Sequence, residues 1–125
     1  LDGTYPTKID NKKQNAHILG SDTIKKRVRE GLTALKANPP RNRMPSYLYS
    51  EIDPQQLVDT HKASGVLRMH PTSTAYPREN VRAFAPVGKY FDISSRSWVE
   101  TDTLTIVYSS TGVHTYPIDP NEYGG

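Results

Sequence analysis

The chain has 125 residues, a formal net charge of +3, 34% hydrophobic residues and no cysteine. That length fits one small domain, residues 1–125, and the lack of cysteine removes disulfide frameworks and thiolate metal sites from consideration. No stretch approaches the ~20 consecutive apolar residues that a membrane-spanning helix needs. Leu, Ile, Val and Phe supply only one residue in five, but the small net charge and eight tyrosines favour a folded domain with a small, polar core over disorder.

The chain opens on Leu1 with no basic-then-apolar signal pattern behind it, so it reads as a piece of a longer protein. Residues 1–15 are polar and are expected to be irregular. Ser21 or Asp22 can cap a helix over residues 22–37, in which Ile24, Val28, Leu32 and Leu35 recur at helical spacing. Asn38-Pro39-Pro40 ends it, because proline disfavours helix in the residue before it and has no N–H to continue the ladder. A Pro/Arg-rich loop over residues 38–46 leads to a short strand at Tyr47-Leu48-Tyr49. Asp53-Pro54-Gln55-Gln56 then starts a helix over residues 54–64. Asp53 accepts from exposed backbone donors, Pro54 suits the first turn, Gln56 can reach back as in a capping box, and Gly65 supplies the stop. From 66 to 118 the texture is that of strands. Asn80–Phe84, Lys89–Ile93 and Trp98–Val99 are short candidates, and Thr103–Ser109 is the clearest, with Leu104, Ile106 and Tyr108 alternating against Thr103, Thr105 and Val107. Ser110-Thr111-Gly112 is turn chemistry, with Val113–Ile118 returning as the hairpin partner. Helices first and antiparallel strands after give the α+β class.

Charge is front-loaded: residues 1–50 carry ten Lys and Arg against four acids, whereas residues 101–125 carry three acids and no Lys or Arg. This asymmetry points to a negatively charged partner, with a solvated helix face as the plainer alternative. Interleaved tyrosines suit RNA, since aromatic faces stack on unpaired bases; Tyr47, Tyr49, Tyr76 and Tyr90 are candidates, with strand packing as their ordinary role. The histidines are His17, His61, His70 and His114, and each can transfer protons near neutrality, although any one taken singly is more often structural. The chain has no HxH or HExxH metal spacing, no nucleophile elbow around Ser109 and no GxxxxGK[ST] loop. Glu79, between Arg78 and Arg82, is a candidate general base and more commonly a surface ion-pair member.

Two segments together carry a resemblance. Lys13-Gln14-Asn15-Ala16-His17-Ile18-Leu19-Gly20-Ser21 resembles the KQxKHIxGT signature of the polymorphic toxin type 50 family, and Tyr108-Ser109-Ser110-Thr111-Gly112-Val113-His114-Thr115-Tyr116-Pro117 resembles its closing YSKxGxHxxP signature. Between them Ser46-Tyr47-Leu48, the helix ending at Gly65, and Glu79-Asn80-Val81 followed by Gly88 come in the expected order. The resemblance implies a C-terminal ribonuclease toxin of bacterial competition systems such as contact-dependent inhibition. It implies N-terminal helices packed on a twisted antiparallel sheet, of the class shared by barnase, EndoU, colicin E5/D and RelE. It also implies metal-independent RNA cleavage without a cofactor, with transfer RNA a candidate substrate, and a cognate immunity protein. The domain would be part of a larger exported protein and act in the cytoplasm of a target cell. Its matching positions are Lys13, Gln14, His17, Tyr108, Ser109, Gly112 and His114. Ala16 stands where a basic residue is usual, Ser110 where Lys is common and Val113 where Thr is common. Ala16 is either family drift or an inactivating change, in which loss of a cation beside His17 weakens or abolishes activity.

The expected reaction is attack of a ribose 2′-hydroxyl on its adjacent phosphate, giving a 2′,3′-cyclic phosphate and a 5′-hydroxyl end. That chemistry needs a base, an acid, and donors for the phosphorane charge. His17 and His114 are the expected acid–base pair, in either order, with Ser109, Thr111 and Lys13 holding phosphate oxygens. Lys12, Lys25, Lys26, Arg27 and Arg29 are expected to track backbone phosphates, with Tyr108 as a further RNA contact. The chain is expected to be a monomer apart from its immunity complex, with no membrane partner. A non-catalytic nucleic-acid-binding module and an assembly domain of a phage or surface protein are the alternatives.

Overall fold

The computed structural model describes residues 6–70 and 73–124, and the side chains of residues 69, 70 and 73–75 fall outside that description. Residues 1–5 of the expected irregular segment and the His70 side chain therefore lie outside the described part. Residues 6–15 are more ordered than their polarity suggests. Asp10 accepts from the Lys13 N–H at 3.3 Å and caps a one-turn helix α1, Asn11–Gln14, which passes into a 3-10 turn at Asn15–His17. The next helix, α2, is Asp22–Leu35, capped by the Ser21 hydroxyl accepting from the Ile24 N–H at 3.1 Å. It buries Ile24, Gly31 and Ala34 while Leu32 is 49% exposed. The buried stripe is turned toward Gly31 because Met44 closes there: a Cβ on that glycine would lie 2.6 Å from Met44 Sδ.

Strand β1 (Tyr47–Leu48) precedes α3 (Pro54–His61), whose start is as expected, with Asp53 accepting from the Gln55 N–H at 3.0 Å. Its end is earlier than Gly65. The chain turns through Ala63, which takes a left-handed φ of 66°, held there by Glu79, whose carboxylate accepts from Ala63 N–H at 2.9 Å and Gly65 N–H at 2.8 Å. Gly65 serves close approach: a Cβ there would sit 1.9 Å from the Asn80 carbonyl oxygen.

The remaining strands are β2 (Val66–His70), β3 (Ser73–Arg82), β4 (Gly88–Asp92), β5 (Ser97–Thr101), β6 (Thr103–Ser109) and β7 (Gly112–Pro117). The class is α+β as expected, but the strands form two antiparallel sheets instead of one, ordered β1-β4-β5 and β2-β3-β6-β7. The division falls at Asp102, the single residue between β5 and β6. There the Thr101 hydroxyl accepts from Thr103 N–H at 3.0 Å and donates to the Ile118 carbonyl at 2.9 Å, so the chain bends out of one sheet into the other. Gly112 takes φ +129° at the two-residue turn joining β6 to β7.

Strand alternation sorts the four-stranded sheet into two faces. Leu104, Ile106 and Tyr108 of β6, Val81 of β3 and Val113 of β7 pack with Leu48, Leu57, Val58 and Val87 as the core. The register places Arg78, Val107 and His114 in one row across the opposite face, and Asn80, Thr105 and Tyr116 in the next. The Asn80 end of that face is closed by the C-terminal segment: Asn80 Nδ2 donates to the carbonyls of Glu122 and Tyr123 at 3.1 and 3.0 Å, and the Arg82 guanidinium lies 4.2 Å over the Tyr123 ring. No helix among the described residues is long and apolar enough to cross a membrane.

Candidate active site

The outer edge of β7 organises the site. Asp10 N–H donates to the Val113 carbonyl at 2.7 Å and Val113 N–H to the Lys8 carbonyl at 2.9 Å. One residue pair further along, the buried Gln14 carboxamide donates to the Thr115 carbonyl and accepts from the Thr115 N–H, both at 2.8 Å. Gln14 thus occupies the hydrogen-bonding place of another strand, satisfying the edge. Because Gln14 is fixed against Thr115, the turn that follows delivers His17 to the face carrying His114 and Tyr116. The His17 and His114 ring centres are 6.1 Å apart with planes 10° from parallel, and Tyr116 lies 4.6 Å from His17 and 6.0 Å from His114.

His17 is buried, and its Nδ1 lies 2.9 Å from the Ser46 carbonyl oxygen. A carbonyl only accepts, so Nδ1 carries the proton and Nε2 keeps its lone pair. Burial is the main reason the His17 pKa falls to about 4; the Ser46 carbonyl opposes this, while the neighbouring His114 and Arg27 reinforce it. His114 is also lowered to about 4, first by burial and then by the charges of Lys13 and Arg78. Both rings are therefore neutral at pH 7, and both line a cleft of about 490 Å³ together with Tyr116, Ser46, Arg27 and Asn42. Asp92, Asp119 and Glu122 also line that cleft. Arg78 reaches the same ring group from β3, its guanidinium donating to the Tyr116 hydroxyl at 3.4 Å.

The family model of bacterial toxin 50 matches residues 9–117. The chain belongs to the bacterial toxin 50 family. The matched span of this toxin domain runs from Ile9, which bridges Val113, to Pro117, the last residue of β7, and so holds both histidine segments. No curated protein matches the chain.

The toxin domain brings some expected site residues together and separates others. Lys13 Nζ donates to the Ser109 hydroxyl at 3.1 Å, close enough for its charge to act on His114. The Ser109 hydroxyl donates to the Gly112 carbonyl at 2.9 Å and the Thr111 hydroxyl to Asp10 at 2.6 Å. These two protons hold the hairpin together, and neither residue lines the cleft. Tyr108 does not present its ring to RNA: it is 2% exposed on the core face, and its hydroxyl donates to Glu79 at 2.7 Å. Glu79 in turn is neither a surface ion-pair member nor within the cleft; it is fully buried and accepts three hydrogen bonds. Of the basic helix residues, Arg27 borders the cleft, and Lys12, Lys25, Lys26 and Arg29 are exposed away from it. Ala16 is buried, at 7% exposure. Sequence reading missed Arg78 and Tyr116. Tyr116 was within reach, since it stands two residues after His114 on one strand and so shares its face. Arg78 emerges only from the β3–β6–β7 register.

Proposed function

We propose that this toxin domain is a metal-independent endoribonuclease that cleaves RNA by internal transfer. The observation that carries the reading is the pair of neutral imidazoles, 6.1 Å between ring centres, at the wall of a cleft that also receives Arg27. Two hydrogen bonds of about 2.7–3.2 Å each span a comparable distance, so one phosphodiester can reach both rings. His17 is the base: with Nδ1–H held by Ser46, its Nε2 takes the proton of the ribose 2′-hydroxyl as that oxygen bonds to phosphorus. His114 is the acid: it gives a proton to the 5′ oxygen as the P–O5′ bond breaks. Burial first, and then the Lys13 and Arg78 charges, keep His114 neutral in the free protein; a bound phosphate offsets those charges, so His114 takes up a proton from solvent on substrate binding and then serves as the acid. The same cations stabilise the extra negative charge of the phosphorane.

The reading includes a fold kinship with the barnase, EndoU, colicin and RelE ribonucleases, delivery as part of a larger exported protein, and an immunity protein that covers the cleft. Transfer RNA is the substrate the family resemblance favours. The deciding experiment incubates the protein with total RNA in EDTA and maps the ends. Fragments carrying 2′,3′-cyclic phosphates and 5′-hydroxyls are expected; intact RNA, or 3′-hydroxyl ends, would overturn the proposal.

A further inference from the structure

The cleft at the histidines does not end at Arg27. A second cavity of about 630 Å³ continues from it, and the two share Arg27, Asn42 and Met44 as common walls. The second cavity is lined by three arginines, Arg27, Arg41 and Arg43, against one acid, Glu30. None of the three guanidinium groups has an ion pair or a side-chain hydrogen bond to another described residue. Three cations around one groove repel each other, and the single carboxylate of Glu30 offsets only part of this. An anionic ligand offsets the rest.

The groove is also preset. Arg41 N–H donates to the Ala34 carbonyl at 3.0 Å, Asn42 Nδ2 to the Phe91 carbonyl at 3.0 Å, and Met44 N–H to Asn42 Oδ1 at 3.3 Å. Trp98 Nε1 donates to the Pro45 carbonyl at 3.2 Å, and Met44 fills the space left by Gly31. The segment bearing Arg41 and Arg43 is thus tied to α2 on one side and to the β1-β4-β5 sheet on the other, so binding costs little ordering of the backbone.

We infer that a single-stranded RNA runs from the histidine pair into this second groove, with Arg27 at the junction and Arg41 and Arg43 holding successive phosphates. The direction follows from charge. The second cavity sets three arginines against one acid, whereas the first is also lined by Asp92, Asp119 and Glu122, so a phosphate chain is drawn toward the second. The inference differs from the expectation that the α2 cluster as a whole tracks the backbone. Arg27, Glu30, Thr33 and Ala34 of α2 line the groove, and Lys25 and Arg29 do not.

The inference shares its scissile end with the ribonuclease reading, so its test separates binding from cleavage. The probe is a short fluorescein-labelled 2′-O-methyl RNA, which lacks the attacking hydroxyl and stays intact. Its anisotropy is titrated over a range of salt concentrations against the parent chain, R41A/R43A and K25A/R29A. Single-stranded contacts contribute a salt slope of about −0.7 per phosphate. R41A/R43A is therefore expected to bind more weakly with a slope shallower by about 1.4, and K25A/R29A to match the parent. Failure of the parent to bind, a parental slope in R41A/R43A, or an equal loss in K25A/R29A would each overturn the groove. A parent that binds the probe but leaves unmodified RNA intact would support the groove and overturn the ribonuclease reading alone.

Discussion

The two faces of the β2-β3-β6-β7 sheet both bury polar groups, and they treat them in opposite ways. On the core face Glu79 has no exposure, yet its carboxylate accepts from two backbone N–H groups and the Tyr108 hydroxyl. One residue away along β3, on the other face, Arg78 Nε and Asn80 Oδ1 are buried without a protein partner, as is His114 Nδ1 in the same row. Folded proteins satisfy nearly all their buried polar atoms, so a cluster of exceptions calls for a cause. The core face is completed by folding. The histidine face leaves hydrogen-bonding capacity unused, and on the ribonuclease reading proposed above a substrate phosphate would take it up at Arg78 and His114.

That contrast predicts a separation of activity from stability. The largest effect belongs to the open face: His17→Ala or His114→Ala should each lower RNA cleavage by about 10²–10⁴-fold, the usual contribution of a general acid or base. His114→Ala should do so with little change in the urea midpoint, because its Nδ1 has no bond to lose. Normal cleavage by both variants would remove these residues from the mechanism. The closed face should behave in reverse. Glu79→Ala leaves the Tyr108 hydroxyl and the Ala63 and Gly65 N–H groups without their acceptor, and each buried orphan costs about 1–3 kcal/mol. Two of those donors lie near the surface, where water can serve them, so a loss of about 3 kcal/mol in urea unfolding is expected. The folded fraction should keep the pH profile of the parent. A stable Glu79→Ala chain with altered pH dependence of cleavage would place this carboxylate back in the chemistry.

What could be read from the sequence divides along similar lines. Local signals held: Ser21 and Asp53 as caps, Gly112 at the hairpin turn and the β6–β7 pair all follow from chemistry within a few residues. The histidine pairing was legible only through two motifs separated by most of the chain. Nothing in either motif states that Gln14 would take the place of a strand against Thr115 and so bring His17 to His114. Glu79 was misplaced because a carboxylate between two arginines has an ordinary surface reading, whereas its partners are backbone donors 14 and 16 residues upstream. Tyr108 was assigned to RNA for the same reason, as the hydroxyl that seals Glu79 is invisible without the fold. The division into two sheets turns on one residue, Asp102, where strand texture in the sequence is continuous.

The finest test of the two faces is their response to acid. His17 titrates in the unfolded chain near its ordinary value of 6.5 and in the folded protein at about 4, chiefly because burial disfavours the imidazolium. Between those values the unfolded state binds the extra proton, so stability falls as pH falls, starting near 6.5 and levelling off below about 4. Linkage puts the loss from His17 at about 2 kcal/mol between pH 7 and pH 5. His114 acts with the same sign. The pKa of Asp10 is lowered, by the Thr111 hydroxyl above all, so its contribution is lost only at still lower pH, below the interval from 7 to 5. Urea unfolding at a series of pH values should show this decline in the parent and a flatter curve in His17→Gln, which keeps a polar side chain but cannot be protonated. A variant curve parallel to the parent across that interval would mean that His17 titrates in the folded protein as it does in the unfolded chain, so that burial does not hold its imidazole neutral.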